Sequence, residues 1–174
     1  LYAHEALQGK AQGERTDFTE TVYWHAGLAT NDKGEATFSF NVSDSITTVR
    51  LRADGFSKDG ALGEADGTVE VRRPFYVEPK FPLEVTAGDR IDLPVSLVNG
   101  TTAPIGARLE TSVGKGLRIL EGNLWTSDIP GEKSIRTVLP LTVDQHSGEV
   151  ELRLRAQASG HADDVTRKIS VVPA

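Results

Sequence analysis

The sequence predicts an all-β protein of antiparallel β-sandwiches, the first incomplete and the second complete with about seven or eight strands. Two observations lead to this prediction. Apolar and polar residues alternate through several short segments, as they do in strands with one buried face. Segments rich in Gly, Asn, Asp and Pro separate these strands at intervals of about 8–12 residues, which is typical of sandwich turns.

The composition fits a folded protein and excludes several function classes. Of 174 residues, 38% are hydrophobic and 25% are charged, which is ordinary for globular domains. The net charge of −6 leaves no basic surplus, so we expect no nucleic acid partner. No apolar run reaches the ~20 residues of a spanning helix, so we expect no membrane contact from this segment. The chain has no Cys, which removes disulfides and thiolate chemistry, and no Met, so we expect it to begin inside a longer polypeptide.

Residues 1–15 lack the strand pattern found elsewhere. Small apolar residues could form one face of a short helix, but Gly9 and Gly13 weaken it, so we expect a frayed helix or a flexible arm. Lys10 and Arg15 lie in this Gly- and Gln-rich segment and are cleavage sites for trypsin-like proteases. The segment is therefore either a protease-accessible linker or an ordinary chain end.

Residues 16–73 predict only four strands, where a free-standing immunoglobulin-like sandwich has about seven. The strands are Asp17–Trp24, Ala36–Val42 with Phe38 and Phe40 in the core, Asp44–Asp54 before a turn at Gly55 and Gly60, and Thr68–Arg72. This first module is expected to be incomplete, with its missing strands upstream or supplied by another molecule. Since sheet edges are normally covered, we expect it to pair with a neighbouring copy or with the second module.

Residues 74–174 predict a complete second module of about eight strands and no helix. Pro94 interrupts one of these strands, which is therefore expected at a sheet edge or with a bulge, because proline cannot donate to the ladder. Asn99-Gly100 is the strongest two-residue turn signal in the chain.

Residues with catalytic or metal-binding potential are scattered. The four histidines lie far apart in the sequence, and neither HExxH nor an i, i+4 pair is present, so a zinc site has little support. His146 and His161 are expected in loops. His25 could pair with Glu20 or Asp17 for acid–base work, but neighbours along a strand point to opposite faces. We therefore predict no cofactor and no catalytic residue.

Two further patterns have a plain and a functional interpretation. Asp54, Asp59, Glu64 and Asp66 could ligate calcium, but their spacing lacks the alternation of an EF-hand loop, so turn and surface residues are favoured. Asparagine begins an N-glycosylation sequon at 41–43 and again at 99–101, and the second is expected on an exposed turn.

Four segments together resemble the α2-macroglobulin/complement family, and in particular its bacterial members. They are ETVYW at Glu20–Trp24, DSITT at Asp44–Thr48, the run Arg72–Thr101 containing PFYVEP, and TRKISVVPA at Thr166–Ala174. Val49 stands where the family's similar strand carries a Trp. The resemblance covers nearly the whole chain, and DSITT combined with PFYVEP is fairly specific.

The resemblance implies a domain organisation. Residues 1–15 would be the tail or flank of the bait region, with Lys10 and Arg15 as possible protease-accessible positions. Residues 16–73 would be the C-terminal part of the bait-bearing macroglobulin domain, and 74–174 a complete macroglobulin domain. Family members trap proteases after bait cleavage, and some tether them through a Cys–Gln thioester, which a chain without Cys cannot carry.

The expected function is thus a non-enzymatic structural segment of a broad-spectrum protease inhibitor. Its partners would be proteases, engaged through the full-length parent, and neighbouring domains of the same chain, with possible self-association through unpaired strands of the first module. A periplasmic or extracellular location is implied by the resemblance. The alternative is a β-sandwich interaction module of a bacterial surface or adhesion protein.

Overall fold

The computed structural model describes residues 1–5 and 13–174, so Lys10 lies outside the described residues. These residues separate into two compact units, which meet in sequence between Arg73 and Pro74. The first comprises residues 1–5 and 17–73, and the second comprises 13–16 and 74–174.

The described residues form fourteen strands, numbered here in chain order. They are β1 (Tyr2–Ala3), β2 (Glu14–Arg15), β3 (Tyr23–Trp24), β4 (Thr48–Phe56), β5 (Leu62–Glu70), β6 (Phe75–Pro79), β7 (Glu84–Thr86), β8 (Arg90–Asn99), β9 (Ile105–Val113), β10 (Leu117–Ile119), β11 (Leu124–Ile129), β12 (Lys133–Val143), β13 (Gly148–Ala158) and β14 (His161–Val172). The prediction of an all-β fold is confirmed.

The second unit is a sandwich of two sheets. One has the order β10-β12-β8-β6, and the other has the order β11-β9-β13-β14-β2, with β7 also pairing along β14. Most neighbours are antiparallel, as predicted. The short strands β2 and β7 instead run parallel to β14, an arrangement that local sequence patterns do not reveal.

Alternating side chains of the two sheets fill the core of the second unit. Leu93, Val95 and Leu97 of β8 belong to this core, as do Leu152 and Leu154 of β13, and all five are at most 1% exposed. Burying such a side chain contributes about 1.5–3 kcal/mol each. The period-two pattern of the sequence is therefore the pattern of this core.

Pro94 does not place its strand at an edge, because β8 lies between β12 and β6. The missing N–H is accommodated differently. The carbonyl of Pro94 accepts a hydrogen bond from the amide of Lys80 (2.9 Å), one residue beyond the end of β6. Since the N and O of a strand residue point to the same side, the proline ring faces the place where the neighbouring strand has just ended.

Pro140 of β12 lies in an equivalent position, beside the end of a neighbouring strand. Its carbonyl accepts the amide of Leu120 (2.9 Å), one residue after β10 ends at Ile119. Each proline thus lies on an inner strand at the position where its neighbour on one side stops. The expectation that Pro94 places β8 at a sheet edge or in a bulge was therefore wrong. On the side where the proline lacks an N–H, however, strand β6 has already ended.

Asn99 ends β8 and is only 1% exposed. Its Nδ2 donates to the carbonyls of Ala103, Ile129 and Pro130 at 2.8–3.2 Å, while its Oδ1 accepts from the amide and hydroxyl of Thr101. This side chain therefore ties the β8–β9 turn to the end of β11. The expectation of an exposed sequon here was wrong, because the acceptor amide is buried.

The first unit consists of two small sheets among its described residues. β1 pairs with β3, and β4 forms a hairpin with β5. One face of the hairpin carries small and apolar residues, with Val49 opposite Val69 and Leu51 opposite Gly67. The other face is charged, where Arg50 pairs with Asp66 and Arg52 with Asp54 and Glu64. At the hairpin end, Phe56 and Leu62 are each 86% exposed.

Four local predictions for the first unit were wrong. Of the predicted strand Asp17–Trp24, only Tyr23–Trp24 forms a strand. Residues 36–42 form no strand. Phe38 is 43% exposed, and its ring stacks on that of Tyr23 with a centroid separation of 4.8 Å. A strand pattern needs a hydrogen-bonding neighbour, and none of the described residues pairs with this segment. Gly55 continues β4, so the turn falls at residues 57–60, where Gly60 has φ +87°. The final strand is Leu62–Glu70, earlier than the predicted Thr68–Arg72.

The described part of the N-terminal segment is extended instead of helical. Tyr2 pairs with Trp24 and Ala3 with Tyr23 in the first unit. Glu14 and Arg15 pair with Asp164 and Val165 in the second unit. Residues predicted as one arm are thus divided between two units.

Candidate functional site

Arg15 is the predicted site residue that the structure describes, and it is 4% exposed. Its strand β2 lies beside β14 in a parallel bridge. The guanidinium group donates from Nε to Oδ1 of Asp163 (2.8 Å) and from Nη2 to Oδ2 (2.5 Å). Nη2 also donates to the carbonyl of Val77 (2.6 Å). In this structure Arg15 is therefore enclosed, unlike the accessible position expected from the sequence.

Asp163 is the acidic centre of this arrangement and is 1% exposed. Its Oδ2 also accepts the backbone amide of Val77 (2.8 Å), so one carboxylate connects strands β2, β6 and β14. A second cation, Arg167, lies near Arg15. Burial, followed by the positive charge of Arg15, lowers the pKa of Arg167 below its ordinary value. The guanidinium group of Arg167 lies 6.0 Å from the ring centroid of Phe81.

Glu14 and Asp164 form a second, more exposed polar group on the opposite face of β2 and β14. Asp164 accepts two hydrogen bonds from Arg153, at 2.8 and 2.6 Å, and one from Arg155 at 3.3 Å. Glu14 accepts the hydroxyl of Thr166 (2.7 Å) and lies 4.0 Å from Arg153. Burial alone would raise the pKa of Asp164, but the hydrogen bonds and charges of Arg153 and Arg155 hold it below its ordinary value.

A buried His–Asp pair joins the two chain segments of the first unit, and sequence reasoning missed it. His4 Nε2 lies 2.5 Å from Oδ2 of Asp17, and both residues are at most 7% exposed. Burial alone would raise the pKa of Asp17, but hydrogen bonds from Thr19 and His4 hold it below its ordinary value. Separation along the chain (13 residues) concealed this pair.

The other candidate groups have structural partners. His25 contacts the hydroxyl of Tyr23 at 3.3 Å and is not brought to Asp17. His161 begins β14 and so lies in a strand instead of the expected loop. Three of the four acidic residues considered for calcium, Asp54, Glu64 and Asp66, form ion pairs with Arg50 or Arg52.

Asp59, the fourth, accepts the hydroxyl of Ser57 in the hairpin turn. Within residues 1–5 and 13–174, no group of three or more His, Cys, Asp or Glu side chains is placed to hold a metal ion. Over the same ranges, no helix is long and apolar enough to cross a membrane.

The fold places the protein in the class of β-sandwich proteins. Its buried Arg15–Asp163 pair connects three strands of the second unit. Comparison with known sequences identifies the family. The sequence model described as "Alpha-2-macroglobulin family" matches residues 21–111, which is 91 of 174 residues. The chain belongs to the alpha-2-macroglobulin family.

Curated relatives and solved structures agree with this assignment. The chain is 31% identical to alpha-2-macroglobulin of Thermotoga maritima over 109 residues, covering 63% of this chain and 7% of the relative. It is 28% identical to an alpha-2-macroglobulin homolog of Deinococcus radiodurans over 162 residues, covering 92% of this chain and 15% of the relative. The fold resembles Escherichia coli alpha-2-macroglobulin activated by porcine elastase, with a TM-score of 0.74, 18% identity, and coverage of 83% of this chain and 13% of that one.

Two statements follow from family membership. The family consists of protease inhibitors and not of enzymes, which confirms the prediction that this chain is not an enzyme. The chain spans only 7% and 15% of these two curated relatives, so it corresponds to a small part of such proteins.

Proposed function

We propose that the chain is a non-catalytic structural segment of a broad-spectrum protease inhibitor that traps proteases after cleavage of a bait region. The observation that carries this proposal is the family match at residues 21–111, which includes parts of both units. The trapping activity belongs to the whole parent protein, with proteases as its partners. The segment's own contribution is to form part of the scaffold that moves when the bait is cut.

The distribution of buried side chains supports separate roles for the two units. Among described residues, the first unit contributes one buried hydrophobic side chain, Val22, and the second contributes 22. We infer that 74–174 is a complete macroglobulin domain. Residues 16–73 are then the C-terminal part of a bait-bearing domain, whose remaining strands cover the apolar face of the β4–β5 hairpin.

Its neighbours follow from the same proposal. Domains of the same parent chain are the main partners. The edges of β4 and β5, which no other described strand covers, are the surface for any self-association. The bacterial relatives support a periplasmic or extracellular location, where proteases of foreign origin are encountered.

An inhibition assay on the full-length parent tests the trapping function. Excess parent is incubated with a serine protease, and activity is measured on a folded protein substrate and on a small chromogenic peptide. Because trapping encloses the protease without occupying its active site, we expect activity on the protein substrate to fall strongly and activity on the peptide to persist. Equal loss on both substrates would indicate active-site blockade, and no loss on either would contradict an inhibitor.

A catalytically inactive variant of the same protease provides the control. Trapping triggered by bait cleavage requires an active enzyme, so the inactive variant should elute free of the parent in size-exclusion chromatography. Equal capture of both forms would show that binding, and not cleavage, is the trigger. Methylamine treatment followed by mass spectrometry determines separately whether the parent carries a thioester.

A further inference from the structure

Strand β2 is too short to be held by its ladder alone. It contributes two residue pairs, Asp164 with Glu14 and Val165 with Arg15. A pairing of this length supplies only a few backbone hydrogen bonds, and each contributes little net free energy. Yet Arg15 is 4% exposed, so something other than the ladder must hold this strand in place.

Glu14 adds a hydrogen bond from the hydroxyl of Thr166, and Arg15 occupies a buried site shaped for a guanidinium group. Asp163 accepts three N–H donors, two from Arg15 and one from the amide of Val77. The carbonyl of Val77 accepts a further hydrogen bond from Arg15. This two-point arrangement matches the planar fork of arginine and not the point charge of lysine.

We propose that Asp163 and the backbone of Val77 form an arginine socket that locks β2 onto β14 and withholds Arg15 from proteases. The socket deepens the proposed function and rests on it for its role in the parent. In the parent, the socket marks the C-terminal end of the segment that a protease can attack. It also keeps strand β2 paired with β14. Asp163 is thus a positioning residue that restricts which basic residues near the bait are cleaved.

The protection has a direct physical cause. A trypsin-like protease must take the arginine side chain into its own specificity pocket and bind the flanking backbone in an extended form. Both requirements need Arg15 to leave Asp163 and β2 to leave β14. The cleavage rate after Arg15 therefore follows the population of an open form, provided that reclosing is faster than cleavage.

Site-resolved proteolysis of the intact 174-residue chain tests the socket. Dilute trypsin is added, and mass spectrometry follows the fragment that begins at Thr16, with a synthetic peptide of residues 13–20 as the unprotected reference. We expect cleavage after Arg15 in the folded chain to be at least about 100-fold slower than in the peptide. In D163N it should accelerate about 100-fold or more, because removing one partner of a buried pair leaves the other uncompensated.

Two further variants make the test specific. R15K keeps the charge and remains a trypsin site but loses the fork, so cleavage at residue 15 should be at least about 10-fold faster than in the wild type. D144N breaks the exposed Arg118–Asp144 pair and should leave cleavage after Arg15 unchanged. If D163N loses its cooperative unfolding transition, the cleavage rate of R15K provides the test, since this variant leaves Asp163 intact.

Each result either supports or overturns the socket. Wild-type cleavage at the peptide's rate would overturn it, as would continued protection in folded D163N or R15K. The trapping assay on the parent is independent of this outcome. Protection of Arg15 without trapping would overturn the proposed function and leave the socket standing, whereas trapping with free cleavage at Arg15 would overturn the socket alone.

Discussion

Single buried polar side chains fix much of the geometry of the second unit. Asn99 forms hydrogen bonds with three carbonyls and two donors in the β8–β9 connection and at the end of β11, and Asp163 connects three strands. Such groups are costly when unpaired, so a core that contains them is specified more narrowly than one of aliphatic residues. Their partners lie up to 148 residues away, which is why the sequence does not reveal them.

Asn99 provides a prediction about stability. N99A removes the buried amide that donates to the carbonyls of Ile129 and Pro130 and accepts from Thr101, so we expect a loss of about 2–4 kcal/mol in the free energy of unfolding. N123A, at an exposed position, should change it by less than about 0.5 kcal/mol. Urea denaturation followed by circular dichroism measures both. A cost for N99A no larger than that for N123A would show that the turn does not depend on this side chain.

Asp164 provides a prediction about pH. Its folded-state pKa lies below the ordinary value of 3.8, so its pairing with Arg153 stabilises the fold above that value, and the contribution is lost as pH falls through the folded-state pKa. D164N should therefore reduce the free energy of unfolding by about 1–2 kcal/mol at pH 7, and this penalty should shrink as pH falls below 3.8 and through the folded-state pKa.

The exposed pair Arg118–Asp144 is the matched control for this titration. D144N should leave the free energy of unfolding nearly unchanged at pH 7, since exposed ion pairs contribute little. Denaturant titrations across the pH range provide the comparison. A D164N penalty that does not shrink as pH falls below 3.8 would mean that its carboxylate charge is not the cause.

At the scale of elements, two prolines mark where the edge strands stop. The carbonyl of Pro94 accepts a hydrogen bond from the first amide after β6, and that of Pro140 accepts one from the first amide after β10. In both places an inner strand offers a carbonyl but no N–H, so the neighbouring edge strand cannot extend its ladder by a full pair. Proline is therefore accommodated inside the sheet at the boundary of a neighbour.

This arrangement predicts a strong dependence on position along β8. P94V should change the free energy of unfolding by less than about 1 kcal/mol, since the restored N–H faces the open end of β6. V95P should cost about 3 kcal/mol or more, because Val95 is fully buried and paired with both β6 and β12. Thermal unfolding of the two variants gives the measurement. Similar costs at both positions would contradict the boundary interpretation.

The sequence predicted the second unit's strands well and the first unit's poorly, for one physical reason. In β8, β9 and β13, alternation coincides with burial between two sheets, so pattern and structure agree. Residues 36–42 alternate equally cleanly but have no strand beside them among the described residues, and alternation alone cannot supply the hydrogen bonds. The socket of Arg15 depends on a parallel pairing between chain ends that no local pattern encodes.

For the whole molecule, the main contrast is between a unit with a core and a unit without one. The described residues of the first unit bury one hydrophobic side chain deeply, and large side chains such as Phe56 and Leu62 stay exposed. Burial of apolar surface is the dominant favourable term in folding. The first unit is therefore expected to have low stability by itself.

Hydrogen exchange of the intact chain tests this contrast. We expect amides of the β4–β5 hairpin to exchange at rates near those of free peptide, while amides of β8, β12 and β13 are protected by the stability of the second unit. In a longer version of the protein that includes upstream residues, protection of the hairpin should rise by at least about 100-fold. Equal protection of hairpin and sandwich in the 174-residue chain would contradict an incomplete first module.

The placement of Arg15 also has a consequence for the order of events during synthesis. Arg15 leaves the ribosome before its partner Asp163, which follows 148 residues later. At roughly 5–20 residues per second, this strand waits on the order of 7 to 30 s before its socket exists. Residues 17–73 emerge during that interval, so β2 must be inserted late, beside a sheet whose other strands have already been made.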